Sequence, residues 1–446
     1  MAKLTFMDRR AQFADGTDSP RAMLEQCLGR IAERDREVRA FVVVNEEGAC
    51  AAADASTARY RAGKPISPID GMPIALKDIF ETADMPTGFG SPIFDNWRGG
   101  RDSAVAFALR QAGAVLVGKA VTTEFAASHP GPTRNPHDLE RTPGGSSSGS
   151  AAAVADGMVP VAIGSQVVGS VLRPASFCGV IGFKPTYGAL NKGGICDAYS
   201  QNCVGTLSNS LADAYAVCDA IARRVGGDPG HAPFQGGPEP ELARPPRVLG
   251  VLETAGWSLA DAEAKRQFVA MLARLIGDDL QIVDRRASRR VDHLEQAIVD
   301  ARELSSKINA WEGLWPFAEL QQRHGDQFSP TYRERMALAA AMTADDYVAA
   351  LARRDSMRRA FDALAGEVDA LVTLSAPGPA PVGLQSTGKP VFNAVATALR
   401  VPALSLPLLQ VDGMPVGLQL IGFAGAEAAL SAYARWVMDG ETRHAG

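Results

Sequence analysis

Thr142-Pro-Gly-Gly-Ser-Ser-Ser-Gly-Ser150, continued by Ala151-Ala-Ala-Val154, is the stretch on which the reading of this chain turns. Glycine and serine favour an irregular loop, and the alanines after them favour the start of a helix. A helix N-terminus there would offer free backbone N–H groups. A phosphate-binding loop would need a lysine after its last glycine, and Ser150 stands in that place. Gly145-Ser-Ser-Ser-Gly149 matches G-x-S-x-G, the nucleophile elbow of α/β-hydrolases, but that elbow follows a strand. Asn135-Pro-His-Asp-Leu-Glu-Arg-Thr-Pro143 carries too many prolines and charges to form a buried one. A flexible linker would not be expected between two structured halves.

Both sides of the loop are structured. Upstream, Ser19-Pro20 reads as an N-cap with proline at the first helical position, and Met23, Leu24, Cys27, Leu28 and Ile31 share one helical face. Asp102 is placed to cap a helix carrying Val105 and Leu109. Gly113 would end it, and Ala114-Val-Leu-Val117 reads as a buried strand directly after. Further short apolar runs are Val159–Ile163, Val248–Leu252, Leu280–Val283 and Ala370–Leu374. Between them lie helical patterns such as Phe268, Leu272, Leu275 and Ile276. Strands alternating with helices predict an α/β protein with a parallel or mixed sheet. Residues 226–246 are rich in Pro and Gly without periodicity and read as a surface linker. The pattern resumes beyond it, so one domain over 1–446 is expected, opening with a helical extension over about 1–60.

Composition narrows the function classes. A formal net charge of -5 supplies no basic field for nucleic acid. No apolar run approaches the roughly 18 residues of a membrane span, and Met1-Ala-Lys-Leu-Thr5 lacks a signal pattern. The six cysteines are scattered with no CxxC pair, which reads as reduced thiols and a cytoplasmic location. His129 and His137 form the only close histidine pair, with prolines between them, so neither a metal nor another cofactor is expected.

Gly144-Gly-Ser-Ser147 through Ser170-Val-Leu-Arg-Pro174 resembles the defining motif of the amidase signature family. Further segments resemble the family in the same order: Gly71-Met-Pro-Ile-Ala-Leu-Lys-Asp78, Ala112–Lys119, Thr123–Ala126, Thr133–Pro136, Cys178–Gly188, Val401–Pro407 and Met414–Gln419. The resemblance spans about residues 20–435. It implies a large, mixed, twisted β-sheet covered on both faces by α-helices. It also implies a triad of Lys77 as base, Ser146 in a cis peptide as proton relay, and Ser170 as nucleophile. Backbone N–H groups of Val167, Val168, Gly169 and Ser170 would form the oxyanion hole, and Ser147 and Ser165 would orient the triad. A serine hydroxyl needs a base to become a nucleophile, and a lysine serves only if burial lowers its pKa. Ile74-Ala-Leu76 and Ile79-Phe80 supply that apolar setting.

The chain also departs from the family. Gln166-Val-Val-Gly-Ser170 stands where Asp-Thr-Gly-Gly-Ser is usual, so Val168 replaces a glycine. Gln166 and Leu172 replace an acid and an arginine, as if an ion pair were lost. Arginine returns one place later, as Arg173. With Thr82–Thr87 and Leu374–Gly378, this looks like the malonamidase branch, in which such an arginine holds the substrate carboxylate. The structural alternative is that Arg173 caps a local carbonyl or pairs with a surface acid. Trp311, Trp315 and Phe317 share a helix and read as core, with lining of the substrate pocket as the other option. The expected function is an amidase acting on a small amide, one bearing a carboxylate being a candidate, with a homodimer left open. The alternatives are the glutaminase subunit of a tRNA-dependent amidotransferase and a catalytically weak binding protein.

Overall fold

The computed structural model describes residues 3–127, 129–197, 199–276 and 280–444. Eleven strands form one sheet: β1 (Phe41–Val44), β2 (Pro73–Lys77), β3 (Val115–Ala120), β4 (Val161–Gln166), β5 (Ile181–Lys184), β6 (Cys203–Ser208), β7 (Val248–Val251), β8 (Gln281–Val283), β9 (Ala370–Leu374), β10 (Ala403–Val411) and β11 (Met414–Ile421). Their order is β1-β3-β2-β4-β6-β5-β10-β11-β9-β7-β8. The strands β3, β2 and β4 run parallel, as do β9, β7 and β8. Antiparallel pairs join the two sets through β6, β5, β10 and β11, so the sheet is mixed. Strands such as β2, β3 and β4 are buried at every position, which is why they read as continuous apolar runs rather than alternating ones.

Several local expectations are met closely. Ser19 accepts from the Ala22 N–H and caps the helix Pro20–Val38, which buries Met23, Leu24, Cys27 and Ile31. The strand after Gly113 is β3, and the apolar runs near 250, 281 and 372 are β7, β8 and β9. Other expectations are corrected. Ser103, not Asp102, caps the helix Ala104–Gln111, while Asp102 accepts from the Ala83 N–H and pairs with Arg110. A serine one place nearer the helix reaches the N3 amide, leaving Asp102 free for the neighbouring loop. The first 60 residues are not purely helical, because β1 pairs with β3 at the sheet edge. Ile276 is exposed just past the end of its helix, and Trp315 is 86% exposed. Phe317 is core and packs on Phe125 and Tyr332, whereas Trp311 is half-buried and stacks on Tyr347.

Candidate active site

Lys77 is the last residue of β2, and Ser165 and Gln166 end the adjacent parallel strand β4. The C-terminal ends of these strands therefore bring a buried amine beside a serine. Crevices at such strand ends are common binding sites in α/β sheets. The Gly/Ser loop closes over them. Its helix begins earlier than the alanines suggest, at Ser148–Ala155, and packs hard on the chain after β3. A Cβ at Gly149 would come within 2.2 Å of the Ala40 carbonyl oxygen and 2.4 Å of the Val121 nitrogen, so only glycine fits there. The Gly145–Ser146 peptide bond is cis.

Lys77 is fully buried, and its Nζ donates to Ser146 Oγ at 2.7 Å and Ser165 Oγ at 2.8 Å. Burial pushes the Lys77 amine down to about 8, against the opposing pull of the Asp197 carboxylate. Ser165 thus touches the lysine directly. Ser147 does not: its hydroxyl bonds the backbone of Ser165, donating to the carbonyl at 3.3 Å and accepting from the N–H at 3.4 Å. Ser170 lines a cavity of about 680 Å³, together with Val167, Val168, Gly169 and Arg173. Among the described residues, no hydrogen bond joins the Ser146 and Ser170 hydroxyls. The two segments meet instead through the Ser147 N–H, which donates to the Ser170 carbonyl at 3.3 Å.

The turn from Val167 to Ser170 directs its backbone groups unevenly. The Val167 carbonyl accepts from Gln201 Nε2, that of Val168 from Thr397 Oγ1, that of Gly169 from the Arg173 N–H, and that of Ser170 from the Ser147 N–H. The N–H groups of Val167, Val168, Gly169 and Ser170 find no acceptor among the described residues. Val168 does not adopt a positive φ, so the β-branched residue sits there without the backbone strain that its position suggested. Gln166 keeps the turn in place. Its Oε1 accepts from the N–H groups of Val171 and Leu172 at 3.0 Å each, and its Nε2 donates to Thr397. A neutral amide therefore holds these two backbone donors, and no charge is needed for it.

Arg173 is buried on the helix Leu172–Cys178. Its Nη2 donates to the Gly145 carbonyl at 2.5 Å and to Thr387 Oγ1 at 3.0 Å, so part of it does cap a local carbonyl. No carboxylate pairs with it among the described residues, and its Nε has no partner. Burial, with the Arg302 charge adding to it, pushes the guanidinium down to about 9. The cavity lining also includes His129, Arg302, Arg335 and Lys389, and no Asp or Glu among the described residues. Arg302, Thr387, Lys389 and Asp197 lie in segments that carried no motif, so nothing in the chain marked them. Trp311, Trp315 and Phe317 do not line the cavity. Their helix contributes Arg302, Ser306, Asn309 and Ala310 instead. Among the described residues, no three His, Cys, Asp or Glu side chains are grouped to hold a metal ion.

The known proteins that this chain resembles agree with the architecture. A glutamyl-tRNA(Gln) amidotransferase subunit from Chloroflexus aggregans is 33% identical over 99% of this chain and 97% of its own length. The peptide amidase of Stenotrophomonas maltophilia superposes with a TM-score of 0.79 at 28% identity, covering 99% of this chain and 97% of that one. The same amidotransferase subunit from Thermotoga maritima gives 0.75 at 26% identity, covering 94% and 91%. The family model described as Amidase matches residues 22–430. By that match, and by identity to relatives over nearly its whole length, the chain belongs to the amidase family.

Proposed function

We propose that this chain hydrolyses a small amide that also carries a carboxylate, as in the malonamidase branch. The observation that carries this reading is the cavity over Ser170, which is lined by Arg173, Arg302, Arg335, Lys389 and His129 with no acid among the described residues. A buried guanidinium without an anionic partner is costly, and a substrate carboxylate would compensate it. In this reading neutral Lys77 draws a proton through Ser146, and Ser170 Oγ attacks the amide carbon. The oxyanion develops against the N–H groups of Val167, Val168, Gly169 and Ser170, for which no acceptor stands among the described residues. The proton returns through Ser146 to the leaving amine, the C–N bond breaks, and water then cleaves the acyl-enzyme.

A second reading is favoured by the relatives, which include subunits of glutamyl-tRNA(Gln) amidotransferases. There the chain would be the glutaminase subunit of a larger assembly. Glutamine, however, carries an α-ammonium, and the lining supplies it no carboxylate among the described residues. One experiment separates these. Ser170 should react with a fluorophosphonate, and Ser170→Ala should abolish both labelling and hydrolysis. Specificity should rank a malonic monoamide above a neutral amide and above glutamine. Glutamine as the preferred substrate, or co-purification with a partner protein, would establish the second reading. An unlabelled, inactive protein would establish a binding protein that keeps the fold.

A further inference from the structure

A second buried charge lies against Lys77 without lining the cavity. Asp197 sits in the segment between β5 and β6 and is fully buried. It makes no ion pair within 4 Å among the described residues, and its Oδ1 has no hydrogen-bond partner in good geometry there, although the Asn202 side chain lies near enough to help stabilise the carboxylate. Its Oδ2 accepts from Ser165 Oγ at 3.3 Å, and Ser165 Oγ in turn accepts from Lys77 Nζ at 2.8 Å. The backbone carbonyl of Asp197 is held by Asn202 Nδ2 and by the Tyr199 N–H, both at 2.7 Å, so the carboxylate is pinned in place. A buried carboxylate left half unsatisfied is unfavourable for folding alone.

The hydrogen-bond inventory gives this chain a direction. A serine hydroxyl has one proton and two lone pairs. With its proton committed to Asp197, Ser165 can only accept from Lys77. A neutral amine has a single lone pair, and Ser165 cannot then occupy it. That lone pair is left for the hydroxyl proton of Ser146. Without Asp197, the Ser165 hydroxyl is free to turn and donate to the amine, competing with Ser146 for the basic site.

We propose that Asp197 is a positioning residue: through Ser165 it orients the Lys77 amine toward Ser146 and, by its charge, sets the pH at which that amine becomes a base. This rests on the Lys77–Ser146–Ser170 reading above. The titratable groups that Asp197 faces are Lys77 on β2 and Cys196 and Tyr199 on its own segment. Behind Tyr199 lie Tyr332 and Arg335 of the helix Pro330–Ala340, and Asp78 faces Cys196. Lys77 is the only one of Asp197's immediate neighbours whose basicity the proposed reaction uses. Asp197 opposes the burial that depresses it.

The test follows the rate of fluorophosphonate labelling at Ser170 against pH, in the full-length protein, so that no substrate need be known. Wild type should show a rise with a midpoint near pH 8. Asp197→Asn keeps an acceptor for Ser165 but removes the charge, so the midpoint should move down by about one pH unit with a similar plateau. Ser165→Ala breaks the chain while leaving the carboxylate, and its plateau should fall by about tenfold or more. An unmoved midpoint in Asp197→Asn overturns the proposal even if its melting temperature falls. If Asp197→Asn does not fold, a Ser165→Ala plateau within about twofold of wild type overturns it instead. Failure to label Ser170 in wild type would defeat the underlying amidase reading, and this inference with it. Labelling with an unmoved midpoint would defeat this inference alone.

Discussion

Truncating Arg173 to alanine separates a substrate contact from a structural one. The side chain has two jobs in the structure. Nη2 holds the Gly145 carbonyl next to Ser146, and the rest of the guanidinium, with an unpartnered Nε, borders the cavity. Loss of the Gly145 contact loosens the loop for every substrate. Loss of the charge matters only to a substrate that carries an anion. The ratio of kcat/KM for a carboxylated amide to that for a neutral amide of similar size therefore cancels the loop effect. A charged hydrogen bond is worth about 1.5–3 kcal/mol, so the ratio should fall by about 10- to 150-fold. Arg173→Lys should recover only part of it, because a compact ammonium cannot hold Gly145 and Thr387 and also reach the cavity as the broader guanidinium does. Malonate should inhibit wild type competitively and Arg173→Ala only weakly. Steady-state kinetics on both substrates gives the ratio directly. Equal losses for the two substrates, with malonate inhibition retained, would show that Arg173 only anchors Gly145.

Four further outcomes are expected. Lys77 is depressed to about 8, so the neutral amine is the minor form below that pH, and kcat/KM should fall about tenfold per unit as pH drops from 7 to 5. Lys77→Ala should lose several orders of magnitude in turnover, and near-normal turnover in that variant would remove it as the base. Gln166→Leu leaves the Val171 and Leu172 N–H groups without their shared acceptor, which should cost about 1–3 kcal/mol in a denaturant titration. Gly149→Ala drives a Cβ into the backbone of Ala40 and Val121, neither a flexible side chain, and should sharply lower the soluble yield or the melting temperature.

Much of this molecule was legible in its chain because the relevant information is local. Alternating runs such as Val105, Leu109, Gly113 and Val115–Val117 encode helix, turn and strand through their own periodicity. Lys77, Ser146 and Ser170 were marked by motifs in which neighbouring residue types and spacing carry the signal, and the fold does bring Lys77 to Ser146. What the chain could not show depends on the strand order β1-β3-β2-β4-β6-β5-β10-β11-β9-β7-β8, which joins segments far apart. Ser165 bonds Lys77 directly because β2 and β4 are neighbours, a fact absent from either stretch. Gln166 looks like half of a lost ion pair until Val171, Leu172 and Thr397 are seen around its amide. Asp197, Arg302 and Lys389 are ordinary charged residues in unpatterned segments. The chemistry of Asp197 comes from burial, and that of Arg302 and Lys389 from a cavity lining that includes no acid among the described residues, and both arise only when distant parts of the chain pack together.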